Sequence, residues 1–497
     1  MALISEGGRA ADAQDLDQAR ALLAGRRAAE AMMVVEAVLA RRPDGAAAAA
    51  LRAEILAAIA ATDPALATLE LTAVLQADRP DVHMELGHAY VDLDRPADAE
   101  RCFKLALALV EDSADAHAAL GALYLSVAIA DGAEHHSRRA LEIEPAHGLA
   151  SQTLAAVLEA SGRPEEAAQV LDRAYRRQAL FPQPALTPRM RVLVLATTSA
   201  GNVPYRLIMP NTLYDRLVWY MEYAREAERP AADRYDLVFN AIGDADLAGP
   251  SAEAVAEFLR TCPHPALNDP SKVARTRRDI IPGLLGDLPG VVMPRTVRRP
   301  DGAGDDLIAS ARATGLEAPF LLRPIGSHGG RDLILVTGEE PEPVRADPGL
   351  DHYLTAYVDY RSADGLFRKY RMLFVDRVAY PYHLAISDHW LVHHETSGMV
   401  AFDARRTEEA RFLADPRSVL GDQGMAAVAA IGRRLDLDYC GVDFSILQDG
   451  RVLVFEANAT MLAHAEDPDG PYAHKNPFVT RIAEAFQAML AERMTPP

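Results

Sequence analysis

Three oxygen-bearing side chains stand close together in the stretch Gly441 to Met461, GVDFSILQDGRVLVFEANATM. Asp443 is followed thirteen residues later by Glu456 and, two further on, by Asn458. Between them VDFSIL alternates, Gln448-Asp449-Gly450 marks a turn, and Val452 to Phe455 is apolar. That is the pattern of a β-hairpin. Side chains on a strand repeat with period two, so Glu456 and Asn458 share a face, and a two-residue Asp-Gly turn returns the second strand beside Asp443. Two carboxylates and an amide oxygen converging at one sheet end suit a hard cation. Mg²⁺ in particular takes one or two carboxylates and completes its shell with substrate phosphate. The plain alternative is a hairpin with a solvated acidic edge.

Such a hairpin needs other elements to enclose it. Arg191-VLVLATT reads as a buried parallel strand ending in the loop 198–206. A helix pattern follows from about Thr212 to Ala227, and Asp236-LVFNAIGD reads as a second strand ending in the loop 240–247. Ligands of open α/β sheets sit at the carboxyl ends of strands, so both loops are candidate substrate contacts. Asn268-Asp-Pro-Ser-Lys272 opens a helical stretch that includes Arg278, and Val291-Val-Met-Pro-Arg-Thr296 runs into a strand. Pro319 to Arg323 reads as a strand ending in a basic residue. The run Gly326-Ser-His-Gly-Gly330 follows it, and such glycines let backbone N–H groups close over phosphates. Tyr353 to Asp359 reads as a strand. Lys369 to Val375 and Val378 to His383 read as a hairpin turning at Asp376-Arg377. His383, His393 and His394 are expected on the strands that follow, lining one cleft. Thr407 to Leu413 and Gly424 to Leu435 have amphipathic helix patterns, and Thr480 to Arg493 a terminal one. The loop Ala459 to Pro477, with His464, Tyr472, His474 and Lys475, is placed to close over a substrate.

In this order the segments resemble the ATP-grasp ligases, such as D-alanine–D-alanine ligase, glutathione synthetase and the ribosomal-protein glutamate ligase, over roughly residues 190 to 492. The resemblance implies a role for each residue. Asp443, Glu456 and Asn458 would hold two Mg²⁺ ions on the phosphates of ATP. Arg278, with Lys272 as its competitor, and Arg323 stand where the family usually has lysines that touch ATP. Gly326, Ser327, Gly329 and Gly330 would form the phosphate lid. Backbone groups of Ala356, Tyr357 and Val358 would meet adenine, although an acid common near Thr355 is absent. Arg371 would face the reacting carboxylate or the transferred phosphate. The activity implied is ATP-dependent carboxylate–amine ligation through an acylphosphate, with release of ADP and phosphate and a small amino-acid-like amine or carboxylate as co-substrate. Two other readings use the same residues. One is a phosphotransferase on the same fold; the other is a non-catalytic scaffold with a vestigial nucleotide site. The Lys-to-Arg departures favour the scaffold, and the complete Asp, Glu and Asn set opposes it.

The first 180 residues are different in kind. Leu86-Gly87 and Tyr90 recur as Leu120-Gly121 and Tyr124, a period of 34. Ala99, Phe103 and Ala106 recur as Ala133, Ser137 and Ala140, and Leu154, Leu158, Ala167, Leu171 and Ala174 continue the series. Small residues fall where paired helices touch and large ones in the seams. The pattern resembles a tetratricopeptide (TPR) array over about 80 to 178. Residues 13 to 79 fit loosely as two degenerate repeats broken at Pro43, Pro64 and Pro80. Stacked repeats make a concave surface, and the resemblance implies a peptide or protein acceptor held there; a mere brace is the alternative. His83, His88 and His117 read as ordinary face or core histidines.

The whole is expected to be multidomain. An all-α TPR superhelix would cover 1–180, an α/β pre-ATP-grasp domain 190–268 and an α+β ATP-grasp domain 269–497, with a linker at Phe181 to Pro188. In a chain of 497 residues, 71 acids against 51 bases give a formal charge of −20. A nucleic-acid partner is not expected, since that class needs a basic face. Three scattered cysteines, Cys102, Cys262 and Cys440, fit neither a zinc site nor a disulfide framework. No signal peptide or membrane-length apolar run is seen, so a cytoplasmic enzyme is the expectation.

Overall fold

The computed structural model describes residues 4–494 apart from 25–27, 42–46, 49, 53, 56–68, 71, 74, 93–94, 186–187, 199–200, 211, 303–305, 328, 331, 341–343, 394–396 and 468–469. Pro43, Pro64, His328 and His394, and part of the 198–206 loop, therefore lie outside the described residues. The chain forms two compact units, Met1–Gln178 and Ala179–Pro497. Among the described residues, no helix is long and apolar enough to cross a membrane.

In the first unit the 34-residue period is visible as helix starts. Pro80–Asp92, Ala114–Ser126 and Gly148–Ala160 are each followed by a partner helix, Pro96–Leu109, Ala130–Ile143 and Pro164–Tyr175. Proline begins three of these six helices, at a position where its missing N–H costs nothing. Within a pair, the recurring glycine lets two backbones approach. A Cβ added at Gly87 would lie 2.4 Å from Phe103 Cε1, and one at Gly121 would lie 2.6 Å from Ser137 Oγ. Leu86, Tyr90, Phe103 and Leu120 fill the seam. Ahead of them, Ile4–Ala24 and Ala28–Arg41 share a core that includes Leu51 and Ile55. The histidines sit as local structure: His83 Nε2 meets Ala77 O at 2.9 Å, His88 packs edge-on against Phe103, and His117 Nδ1 meets His136 Nδ1 at 2.9 Å.

Among the described residues the second unit holds three sheets. The first, in the order β1-β3-β2-β4-β5, comprises β1 (Leu180–Gln183), β2 (Met190–Ala196), β3 (Tyr214–Tyr220), β4 (Leu237–Asn240) and β5 (Ala266–Leu267). Its inner strands are parallel and β1 closes one edge antiparallel. Two expectations are corrected here. The stretch read as a helix from Thr212 is strand β3, because Leu217-Val-Trp-Tyr220 is a fully buried apolar and aromatic run wanted between two strands. The linker at Phe181 is partly strand β1, whose one proline, Pro182, is tolerated because the strand lies at an edge.

The second sheet runs β7-β10-β8-β9, with β7 (Thr296–Arg299), β8 (Phe320–Pro324), β9 (Ile334–Val336) and β10 (His352–Ala356). The third runs β12-β11-β13-β14-β6. Its strands are β6 (Val291–Val292), β11 (Phe367–Val375), β12 (Val378–Ser387), β13 (Tyr439–Ile446) and β14 (Val452–Asn458). Asn268 joins the first sheet to the third. Buried in a left-handed conformation (φ 55°), it accepts from the N–H groups of Asp438 and Tyr439 at 3.0 and 2.9 Å, and its own N–H donates to Asp438 at 2.8 Å. From the other side, Asn240 at the end of β4 donates to its carbonyl at 2.8 Å. The helices Asp403–Ala414, Pro416–Leu435 and Asn476–Met494 pack on the third sheet.

The close helix contact gives a direct expectation. Gly87→Val overpacks the Phe103 seam and lowers the stability of the first unit by about 1–3 kcal/mol, read as a lower urea midpoint. An unchanged midpoint would refute the tight approach.

Candidate active site

The hairpin β13–β14 was expected to close through a two-residue turn. It closes through three, Gln448 to Gly450, with Gly450 at φ 82° and Gly450 N–H bonded to Leu447 O at 2.8 Å. The extra residue is absorbed by a bulge. Asp443 pairs with Glu456 but Phe444 pairs with Val454, which leaves Phe455 without an opposite number. Bulges re-aim side chains next to sites, and here the two carboxylates end up opposite one another on neighbouring strands. Asn458, two residues on, donates its amide to Glu456, while its oxygen accepts from Thr460 N–H and Oγ, each at 3.0 Å.

These groups face a cavity of about 620 Å³, within the usual range for a small-molecule site. All three sheets contribute to it. The carboxyl ends of β2 and β4 supply Gly201, Asn202, Asp244 and Asp246; β8 supplies Arg323; β10 leads into Ala356, Tyr357 and Val358; β11 supplies Lys369 and Arg371. Of the residues singled out from sequence, Arg278, Arg323, Gly326, Ser327, Gly329, Gly330, Ala356, Tyr357, Val358, Arg371, Asp443, Glu456 and Asn458 all line this one space. So do His383, His393 and, from the loop after β14, His464 and Lys475. His393 stands beyond the end of β12, in a non-strand segment. Lys272 is not brought in: it pairs with Asp436 at 2.5 Å.

The electrostatics are unusual for so acidic a chain. Arg371 grips Asp443 with two parallel bonds, Nε to Oδ1 at 2.6 Å and a terminal nitrogen to Oδ2 at 2.9 Å, and Lys369 Nζ lies 3.4 Å away. Arg278 meets Glu456 at 2.8 Å and Arg323 stands 3.8 Å from its other oxygen. Burial works against both carboxylate charges. The attraction of Arg371 and Lys369 nevertheless holds Asp443 well below the usual range, and that of Arg278 and Arg323 holds Glu456 down to about 2. Burial, with Arg278 alongside, pushes Arg323 down to about 10, against the pull of Glu456. Its Nε also donates to Ser327 Oγ at 3.0 Å, tying the strand end to the glycine loop. In that loop Gly326, Gly329 and Gly330 have φ of 81°, 67° and 75°, values that favour glycine.

Among the described residues no group of three or more His, Cys, Asp or Glu side chains is arranged to hold a metal. The donor set is instead two carboxylates and an amide. That set fits Mg²⁺ coordinated jointly with phosphate oxygens, for which no all-protein cage is required. Ligation by Asn458 needs its amide turned from Thr460.

Several lining residues were not picked out from sequence. Lys369 had a legible signal, since it is two before Arg371 and so on the same strand face. Tyr353, whose hydroxyl donates to Asp246 at 2.5 Å and thereby links the first two sheets, had none.

No protein-family model matches this chain, and no curated protein does. Among solved structures, MamA is 22% identical over 34% of this chain and 91% of its own, with a TM-score of 0.22. TTC0263, a thermophilic TPR protein in Thermus thermophilus, gives 22%, 34%, 91% and 0.22. D-alanine–D-alanine ligase from Bacillus anthracis, complexed with ATP, is 13% identical over 59% of this chain and 98% of its own, with a TM-score of 0.34. Likenesses this slight carry no argument about chemistry.

Removing one partner of a buried ion pair strands the other charge. Arg371→Met, which leaves Asp443 with Lys369 alone, is expected to cost about 3–5 kcal/mol of stability in urea unfolding. The double change Arg371→Met with Asp443→Leu should recover most of that.

Proposed function

We propose that the second unit is an ATP-dependent carboxylate–amine ligase of ATP-grasp type, forming ADP and phosphate. The observation that carries this reading is the gathering of four cations, Arg278, Arg323, Lys369 and Arg371, around Asp443 and Glu456, in a cavity that Asp244 and Asp246 also line. In a chain of charge −20, four cations drawn to one cavity have a polyanion as their natural ligand. The glycine loop suits phosphate oxygens, and Met293, Leu321, Val358 and Leu453 offer an apolar slot for a flat base.

Asp443, Glu456 and Asn458 would hold Mg²⁺, two ions by the family resemblance; bound there, the metal neutralises phosphate charge. Arg278 and Arg323 hold the phosphate tail of ATP. Arg371 leaves Asp443 to face the substrate carboxylate as it attacks the γ-phosphate, and then the acylphosphate. Catalysis is positioning and electrostatics. An amine takes the acyl group. The helical array of the first unit is assigned the recognition of a peptide or protein acceptor.

Assays of ADP release with a panel of carboxylates and amines test this. Asp443→Asn, Glu456→Gln and Asn458→Ala should each lower turnover by about 100-fold or more, roughly 2.7 kcal/mol of barrier. Near-normal turnover of Glu456→Gln would sink the reading. Arg323→Ala should chiefly raise the KM for ATP, because it holds phosphates already bound in the ground state. Arg371→Ala should chiefly lower kcat, because it acts on the transferred group. An unaltered ATP dependence in Arg323→Ala would put the nucleotide on the wrong loop.

A further inference from the structure

Beside Arg371 lies a cluster that phosphate chemistry does not use. On β11 and β12, Arg371 pairs with His383 but Met372 pairs with Pro381, so Tyr382 is an extra residue. Neighbours on a regular strand face opposite ways. Across this bulge Tyr382 and His383 both line the cavity, which sets an imidazole next to the arginine assigned to the acylphosphate.

His383 is backed by a carboxylate with no exposure at all. Glu409, on the inner face of the helix Asp403–Ala414 with Phe412 and Leu413, meets His383 Nδ1 at 2.8 Å. It also accepts from Leu384 N–H at 3.2 Å and meets His474 Nε2 at 3.1 Å. An apolar residue would serve packing there at far lower cost. Burial opposes the charge on Glu409, yet these donors hold it below the usual carboxylate range. An ionised carboxylate can only accept, so His383 carries its proton on Nδ1 and its lone pair on Nε2. Burial lowers the proton affinity of His383 more than Glu409 raises it, and Lys475 and Arg371 lower it further. The groups around it are thus Glu409 from the helix, His474 and Lys475 from the loop after β14, Tyr382 on its own strand, Arg371 on β11 and, behind that arginine, Asp443 on β13. The imidazole is neutral at pH 7.

Amines are protonated at pH 7, and an ammonium has no lone pair with which to attack. We propose that His383 is the general base of the ligation, with Glu409 as its positioning residue. This rests on the ligase reading. The ammonium gives one proton to His383 Nε2, and the lone pair released forms the C–N bond at the acyl carbon. The C–O bond to phosphate breaks, and its electron pair leaves with the phosphate. The second proton lost by nitrogen goes to that phosphate, and His383, whose Nε2 is sealed from bulk solvent, gives up its own as the products leave.

The test compares two nucleophiles at pH 7 on the full chain with Mg-ATP and the twenty amino acids as carboxylates. Hydroxylamine, uncharged at this pH, traps an acylphosphate as hydroxamate without needing a base; the amino acids' own ammonium groups do need one. His383→Asn keeps an N–H for Glu409 and removes the base. It should form hydroxamate at a rate within about threefold of wild type but lose amide formation by about 100-fold, regaining it as the pH is raised. Glu409→Gln, which keeps the imidazole, should shift the pH profile of amide formation while sparing hydroxamate, and it stands as the test if His383→Asn does not fold. Equal loss of both products, or no loss of amide, would overturn the assignment while leaving a ligase. Wild-type protein that forms neither ADP nor hydroxamate with any carboxylate would overturn the ligase reading and this one with it.

Discussion

Two carboxylates cannot face each other inside a β-sheet without cations between them and the rest of the protein. Asp443 and Glu456 are register partners on β13 and β14, and like charges so placed repel. Their burial adds a desolvation cost of several kcal/mol per ion. What makes the arrangement tolerable is that the compensating charges arrive from separate places. Arg278 comes from the turns after Asn268, Arg323 from the second sheet, and Lys369 and Arg371 from β11 of the third. The carboxylates thus draw separate elements onto one point. The same four cations are the groups that the proposed polyphosphate ligand would need.

Register does the aiming. One bulge leaves Phe455 unopposed and sets Glu456 across from Asp443; another makes Tyr382 supernumerary and turns both it and His383 to the cavity. Asn268 then fixes the first sheet to the start of β13. Strands bear the charged groups apart from Arg278, which a turn supplies, while the glycine loop and the segment after β14 line the same cavity. Such a division suits a site that must hold rigid charges and still admit a substrate.

Much of this was legible in residue order. The period of 34 shows as helix starts at 80, 114 and 148, because close helix contact demands a small residue at each turn of the repeat. Asp443, Glu456 and Asn458 were legible because period two is a strong constraint on a hairpin. The rest depended on tertiary context. Leu217 to Tyr220 is too short an apolar run for periodicity to tell a buried strand from a helix, and its place between β1 and β2 decides. Arg278 and Lys272 are equally basic in sequence; Asp436, far along the chain, takes the lysine away. Glu409 carried a faint signal, an acid on the apolar stripe beside Phe412 and Leu413, but its partners are brought to it by β12 and a loop.

The most direct measurement is a crystal structure of the protein with Mn²⁺ and a non-hydrolysable ATP analogue, using the anomalous signal of manganese. Anomalous density is expected at Asp443, Glu456 and Asn458, with the phosphates against Arg278 and Arg323 under Gly326 to Gly330, and Arg371 released from Asp443. Nucleotide bound away from these residues, or no manganese at them while Arg371 still grips Asp443, would contradict the proposed site.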